Sequence, residues 1–222
     1  MKKILLTLLA VATMASAHAQ QKVLVAYFSF TNNTKAYAEK IASITGGDLY
    51  EIVPTVAYGD ENNKYYDEST RAFQEQRNTG GEQRPAIFET LTNAEQYEIV
   101  FIGSPIWYGK SPRVILTFLD TYGFVGKTVV PFVTSQASGI SQVNEELPAT
   151  YPSINWVEGR RLNGISDADL QTWVQDILQS TTGLEETNVQ SPMSNVKYNL
   201  LGQSIREDFH GVVIQNGKKQ IK

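Results

Sequence analysis

A chain of 222 residues, 41% of them hydrophobic, is long enough to bury a core that stands without disulfides. It contains no cysteine, which excludes thiol catalysis, iron–sulfur clusters and cysteine-based zinc sites, and its two histidines, His18 and His210, lie too near the ends to build a triad or metal site in the middle. A formal charge of −4 argues against a nucleic-acid partner.

Met1-Lys2-Lys3 is a short basic start, Ile4 to Ala15 an apolar run, and Ala17-His18-Ala19 a small-x-small cleavage site. Residues 1–19 therefore read as a secretory signal peptide. The apolar run is too short to span a membrane, and no other stretch approaches span length. With no cysteine after it, attachment as a lipoprotein by the usual bacterial route is excluded. The expectation is an exported protein, released to the periplasm or the cell exterior.

The run Val23-Leu24-Val25-Ala26-Tyr27-Phe28 has the length and the β-branched, aromatic character of a buried strand. It stops at Ser29-Phe30-Thr31-Asn32-Asn33-Thr34, and a helical pattern follows, with Ala36, Tyr37, Lys40, Ile41 and Ile44 lining one side. Strand, polar loop, helix: free backbone N–H groups and the helix dipole then converge on an anion site. An ordinary capped helix is the competing reading, since Ser, Thr and Asn are also the common N-cap residues.

Leu49 to Val53, closed by Pro54, reads as the second strand. From Thr55 to Arg84 the chain turns polar and aromatic, with a helix expected over Asn63 to Gln76 and ended by Gly80-Gly81. This insertion is either an edge-covering helix or a lid. Glu98 to Ser104 is the next buried strand. Pro105-Ile106-Trp107-Tyr108-Gly109 follows, and aromatics in such a loop suit stacking on a flat heterocycle. The other reading is that Trp107 plugs a hydrophobic hole beside the next helix, Arg113 to Tyr122. Lys127 to Thr134 is a fourth strand, leading into Ser135-Gln136-Ala137-Ser138-Gly139. A short helix from Ile140 to Leu147 stops before Pro148. Ile154 to Val157 is the fifth strand, and the segment EGRRLNG returns the chain to the last helix. That helix runs from Asp167 to Leu178, with Ser166 as N-cap and Leu170, Trp173, Val174 and Ile177 on the sheet. Trp156 and Trp173 read as core.

Three of these segments carry a resemblance. YFSFTNNTKAYAEKI resembles the first signature of the flavodoxin family, a YFS-x-TGNT-like loop that holds the phosphate of FMN; Asn32 stands where glycine is usual, and Asn tolerates the left-handed region. GSPIWYGKSPRVILTFLD is similar to the family's second flavin loop. The segment from Ser135 to Ser141 resembles the third, with Gln136 and Ala137 in place of glycines. The resemblance covers roughly Lys22 to Gln179. It implies a doubly wound, five-stranded parallel α/β sheet of order 2-1-3-4-5, with the ligand crevice at the carboxyl ends of the strands. It also implies FMN as cofactor. The phosphate would lie on Ser29, Phe30, Thr31, Asn32, Asn33 and Thr34, and the ring against Pro105, Ile106, Trp107, Tyr108 and Gly109. The ring edge would face Thr134, Ser135, Gln136 and Gly139.

The implied chemistry is electron transfer or reduction of a small acceptor, which needs no acid–base or nucleophilic side chain. The alternative is an exported domain that has kept the fold, lost flavin and serves as a binding or adhesion module. Neither reading identifies a redox partner protein or acceptor.

The expected organisation is a sheet domain over 20–180, a linker over 181–195 rich in Gly, Thr, Asn, Ser and Pro, and a tail over 196–222. In the tail, Asn216-Gly217 between apolar runs signals a β-hairpin. Its YNLLGQ and NGKK stretches resemble the end of C-terminal sorting domains of Bacteroidetes type IX secretion. A sorting signal and a stabilising hairpin are both open.

Overall fold

The computed structural model describes residues 21–60, 67–77 and 83–181, together with the backbone of four strands between 197 and 221. The expected signal peptide, nearly all of the expected linker, and the start and the Gly80-Gly81 end of the expected insertion helix lie outside the described residues. The chain divides after Thr181 into two compact units.

In the first unit, β1 (Val23–Tyr27), β2 (Asp48–Glu51), β3 (Ile99–Pro105), β4 (Thr128–Thr134) and β5 (Asn155–Trp156) form a sheet of order β2-β1-β3-β4-β5. Every pairing in it is parallel. This is the strand order expected of a doubly wound α/β domain. Because successive side chains of a strand face opposite ways, each buried strand feeds two cores. Leu24, Ala26, Val100, Ile102, Val129 and Val133 join Val114, Phe118 and Leu147 in one cluster. Val25, Tyr27, Phe101, Val130 and Phe132 join Ala38, Ile41, Leu170, Val174 and Ile177 in the other. At Gly103 the side chain is absent for a reason: a Cβ there would lie 2.1 Å from the Phe132 ring, which fills the space.

The helices are α1 (Asn33–Thr45), α2 (Arg71–Arg77), α3 (Arg113–Tyr122), α4 (Ser141–Thr150) and α5 (Asp167–Thr181), with a short 3-10 turn over Ala94–Gln96. α3 has the bounds expected and ends at Gly123, whose φ of 53° is the left-handed C-cap that glycine supplies. Ser166 caps α5 as expected: its Oγ accepts the Asp169 N–H at 3.1 Å and donates to the Asp169 carboxylate at 2.7 Å.

Three expectations are corrected. α1 buries Thr34, Ala38, Ile41 and Thr45 rather than Ala36 and Lys40, which are exposed, so its inner face is rotated from the predicted one. α4 does not stop before Pro148 but continues to Thr150, because the Tyr151 N–H still closes on the Leu147 carbonyl at 2.9 Å. The fifth strand does not end the sheet. After a three-residue break the chain pairs with β4 again as β6 (Arg160–Arg161), Arg160 opposite Phe132 and Arg161 opposite Val133. Trp156 lies opposite Val129, so the edge strand uses three residues where β4 uses two. This is a bulge, and Pro131 sits opposite it, with no N–H to offer the edge strand.

The second unit is a four-stranded antiparallel sheet of order β10-β9-β7-β8, from β7 (Lys197–Tyr198), β8 (Ser204–Ile205), β9 (Val212–Gln215) and β10 (Lys218–Ile221). β9 and β10 pair with Gln215 opposite Lys218, flanking Asn216-Gly217. The tail thus holds a small sheet, of which the expected hairpin is one half.

Candidate functional site

Three loops leave the carboxyl ends of β1, β3 and β4, and specific contacts join them. Pro105 and Thr134 are paired residues at the strand ends, and the Ile106 N–H donates to the Thr134 carbonyl at 3.1 Å. Thr34 and Thr134, 1% and 5% exposed, share a hydroxyl–hydroxyl hydrogen bond of 2.8 Å that joins the first loop to the third. Phe30 meets Trp107 edge-on at 5.9 Å, joining the first to the second.

The first loop is built to offer donors. Asn32 occupies the left-handed region at φ 64°, and its carbonyl accepts the first helical bond of α1 from Ala36 at 3.1 Å. The Lys35 N–H donates to Ser29 Oγ at 3.2 Å, and Asn33 Nδ2 donates to Thr31 Oγ1 at 3.1 Å. The N–H groups of Thr31, Asn32, Asn33 and Thr34 donate to no group among the described residues. No acidic side chain stands in the first turn of α1. Successive free amides around a left-handed residue at a helix N-terminus form an anion-binding concavity. The donor set therefore fits a phosphate. Thr34 has only its N–H to offer, for its hydroxyl is turned inward to Thr134.

The second loop corrects the picture of exposed aromatics. Trp107 is 6% exposed and its ring is held edge-on by Phe28 at 5.5 Å and Tyr58 at 4.8 Å. Tyr108 is the half-buried partner on the outside. The loop itself is a two-residue hairpin turn closed by reciprocal Trp107–Lys110 backbone bonds of 2.9 and 3.1 Å. Tyr108 at φ 52° and Gly109 at φ 89° occupy its two central positions, the type I′ geometry that glycine and asparagine ordinarily fill. A tyrosine there is a strained choice.

Side chains from the insertion hold that conformation. Phe73 of α2 meets the Tyr108 ring edge-on at 5.4 Å, and the Arg77 guanidinium lies 5.8 Å from its centre. Gln76 Nε2 donates to the Ser111 carbonyl at 2.9 Å. Beneath, Tyr58 donates its hydroxyl to Glu75 at 2.5 Å while Arg71 lies 4.3 Å over the Tyr58 ring and pairs with the same carboxylate. Burial, and then the Glu75 carboxylate, push the Tyr58 hydroxyl far above its ordinary pKa, so it stays a donor. On the far side, Lys110 and the buried Arg113 both pair with Glu146 of α4, at 3.0 and 2.9 Å.

The third loop is braced from the edge strand. Asn163 Oδ1 accepts the Ser135 N–H at 2.6 Å, and Ser135 Oγ accepts the Ser138 N–H at 2.9 Å. Arg161 of β6 donates from Nε to the Ser135 carbonyl at 2.9 Å and from Nη2 to the Gln136 carbonyl at 3.3 Å. A side chain at Gly139 would meet nothing within 4 Å, so that glycine leaves open space beside the loop.

A cavity of about 370 Å³ lies on the other side of the first loop, between Phe28–Thr31 and the segment from Glu51 to Asp60. The carboxylates of Glu51 and Asp60 on its lining disfavour a phosphate there; of residues 31–34 Thr31 alone lines it, so the donor set and the cavity meet at Thr31. Among the described residues no three His, Asp or Glu side chains gather as a metal site requires.

The expected site residues therefore fall on three adjoining loops. Sequence reasoning missed the side chains that fix them: Tyr58, Glu75, Phe73, Arg161 and Asn163. Only the aromatic richness of the insertion hinted at any of these.

A family model described as flavodoxin matches residues 22–177. Comparison with curated proteins gives no match. Among solved structures, a candidate flavoprotein from Bacteroides eggerthii DSM 20697 is 41% identical, with a TM-score of 0.67, over 70% of this chain and 97% of its own. One from Bacteroides uniformis ATCC 8492 is 39% identical, with a TM-score of 0.66, over 70% of this chain and 98% of its own. A Lactobacillus acidophilus NCFM flavoprotein, solved in complex with FMN, shares the fold at 24% identity and a TM-score of 0.53, over 69% of this chain and 98% of its own. The family model spans well over half of the chain and takes in the three loops just described; the chain belongs to the flavodoxin family.

Proposed function

We propose that this protein binds FMN and uses it to carry electrons or to reduce a small acceptor. The observation that carries the reading is the first loop: four consecutive backbone N–H groups without protein partners, a left-handed Asn32 and no carboxylate in the first turn. Family membership supports it, as does the FMN held by the Lactobacillus acidophilus neighbour. Residues 31–34 would hold the phosphate, and the second and third loops would border the ring. The bound flavin supplies the redox chemistry; the protein contributes position, electrostatics and exclusion of solvent. Family membership favours the cofactor reading over a binding or adhesion module.

The signal-peptide pattern of residues 1–19 places this activity outside the cytoplasm in the same proposal. Among the described residues no helix is long and apolar enough to cross a membrane.

A titration comparing FMN with riboflavin tests the phosphate site. Hydrogen bonds to a charged group contribute about 1.5–3 kcal/mol each, so FMN should bind at least tenfold more tightly. Equal affinities would remove the phosphate site, and binding of neither flavin would favour the module.

A further inference from the structure

The bulge in the edge strand has a chemical consequence at the third loop. Without β6, the chain beyond Trp156 would leave the sheet and Arg161 would be one more surface cation. The break at 157–159 instead returns Arg160 and Arg161 to β4, opposite Phe132 and Val133. Gly159 permits it, because a Cβ there would lie 2.4 Å from the Pro131 carbonyl oxygen. Arg161 then stands next to the last residues of β4 and reaches the loop that follows.

Its two contacts are both to carbonyl oxygens, of Ser135 and Gln136. These acceptors are taken up by the guanidinium. The N–H groups of Gln136 and Ala137 in the same stretch donate to no group among the described residues, while the neighbouring Ser135 and Ser138 amides are bound to Asn163 and Ser135 Oγ. The loop thus presents free donors and has its carbonyls neutralised. Among the described residues no carboxylate pairs with Arg161, so its charge is not cancelled locally.

We infer that Arg161 is a positioning residue that makes the third loop a donor surface with a net positive charge, and so raises the reduction potential of the ring bound there. This rests on the proposed FMN site. Reduction increases the electron density at the polar end of a flavin ring. A fixed cation and free N–H donors nearby favour that state over the oxidised one. Arginine suits the place because its planar fork holds two carbonyls at once.

The test compares wild type with Arg161→Gln, Arg161→Lys and Asn163→Ala. Midpoint potentials of FMN-loaded proteins are measured by reductive titration against a reference dye, and amide exchange at Ser135 and Ser138 is measured without flavin. Arg161→Gln should lose about tenfold of the preference for the reduced cofactor, roughly 30 mV for two electrons. Arg161→Lys should keep most of the potential, since it keeps the charge, but exchange faster at the loop amides. Asn163→Ala should speed exchange and leave the potential unchanged. Equal potentials for wild type and Arg161→Gln would overturn the inference, as would an Arg161→Lys potential as low as that of Arg161→Gln. If wild type binds no FMN, the functional proposal fails; loop amides that exchange at the wild-type rate in Arg161→Gln refute the bracing role by themselves.

Discussion

The first and second loops leave neighbouring strands of one sheet, yet they treat their polar and apolar groups in opposite ways. The first leaves four backbone donors unpaired and holds its shape through a single left-handed residue and a few side-chain bonds. The second turns its large aromatic ring inward, closes its backbone on itself and is clamped from both sides by α2 and α4. An unpaired donor is tolerated where water or a ligand can reach it, and residues 31–33 are exposed. A buried indole is a source of stability wherever it sits. The pair teaches that, within one site, ligand affinity and scaffold rigidity come from different segments.

The largest effect expected from this contrast is at Trp107. Replacing it by alanine should cost about 3–5 kcal/mol, the usual range for an aromatic removed from a core, read as a fall in melting temperature. A loss under 1 kcal/mol together with weakened flavin binding would mean that the ring serves the ligand and the clamp is superficial.

Next comes the bond that joins the first loop to the third. Thr34→Val removes one hydroxyl and leaves that of Thr134 buried without its partner, at a cost of about 1–3 kcal/mol. Thr34→Val with Thr134→Val should recover much of it, because the pair is then apolar on both sides. Strict additivity of the two losses, measured by denaturant unfolding, would show that the two hydroxyls act independently.

A smaller effect concerns pH. Tyr27, Tyr97 and Tyr122 are each pushed up to about 12, chiefly by burial. Their unfolded counterparts lose protons near 10. Between these values the folded state binds more protons than the unfolded one, so stability falls as pH rises. Melting temperature should be level below pH 9 and decline from about pH 10 upward. A flat profile to pH 12 would contradict the burial argument.

The smallest effect expected is from removing the tail. Truncation after Gly183 leaves every strand and helix of the first unit intact. It should change neither melting temperature nor flavin affinity. A marked loss of either would make the second unit part of the fold rather than an appendage.

The buried strands and the bounds of α3 were legible because such elements leave periodic apolar patterns, while the sheet order came from the resemblance of three loops to the flavodoxin family. The first loop was legible as a polar turn between a buried strand and a helix, but ordinary N-capping uses the same residues, and its reading as a phosphate loop rested on the resemblance. The edge strand beyond Trp156 was not legible. EGRRLNG carries no apolar alternation, and its return to the sheet lies beside Pro131 of the neighbouring strand β4, a residue distant in sequence from it. Trp107 was legible as an aromatic in a loop, with burial in a hydrophobic hole as the second reading, and the structure favours burial. Its burial depends on Phe28, Phe30 and Tyr58, and Tyr58 comes from an insertion whose packing no local pattern reveals. The Tyr58–Glu75–Arg71 cluster is hidden for the same reason: charged residues on a short helix ordinarily face solvent.

The central claim is that the unpaired amides of the first loop are a phosphate seat. The most direct measurement is the backbone amide spectrum of the isotopically labelled protein, with saturating FMN and then with saturating riboflavin. The account predicts that the two bound spectra differ most at Thr31, Asn32, Asn33 and Thr34. Differences centred on the cavity between Glu51 and Asp60, with those four amides unmoved, would contradict it.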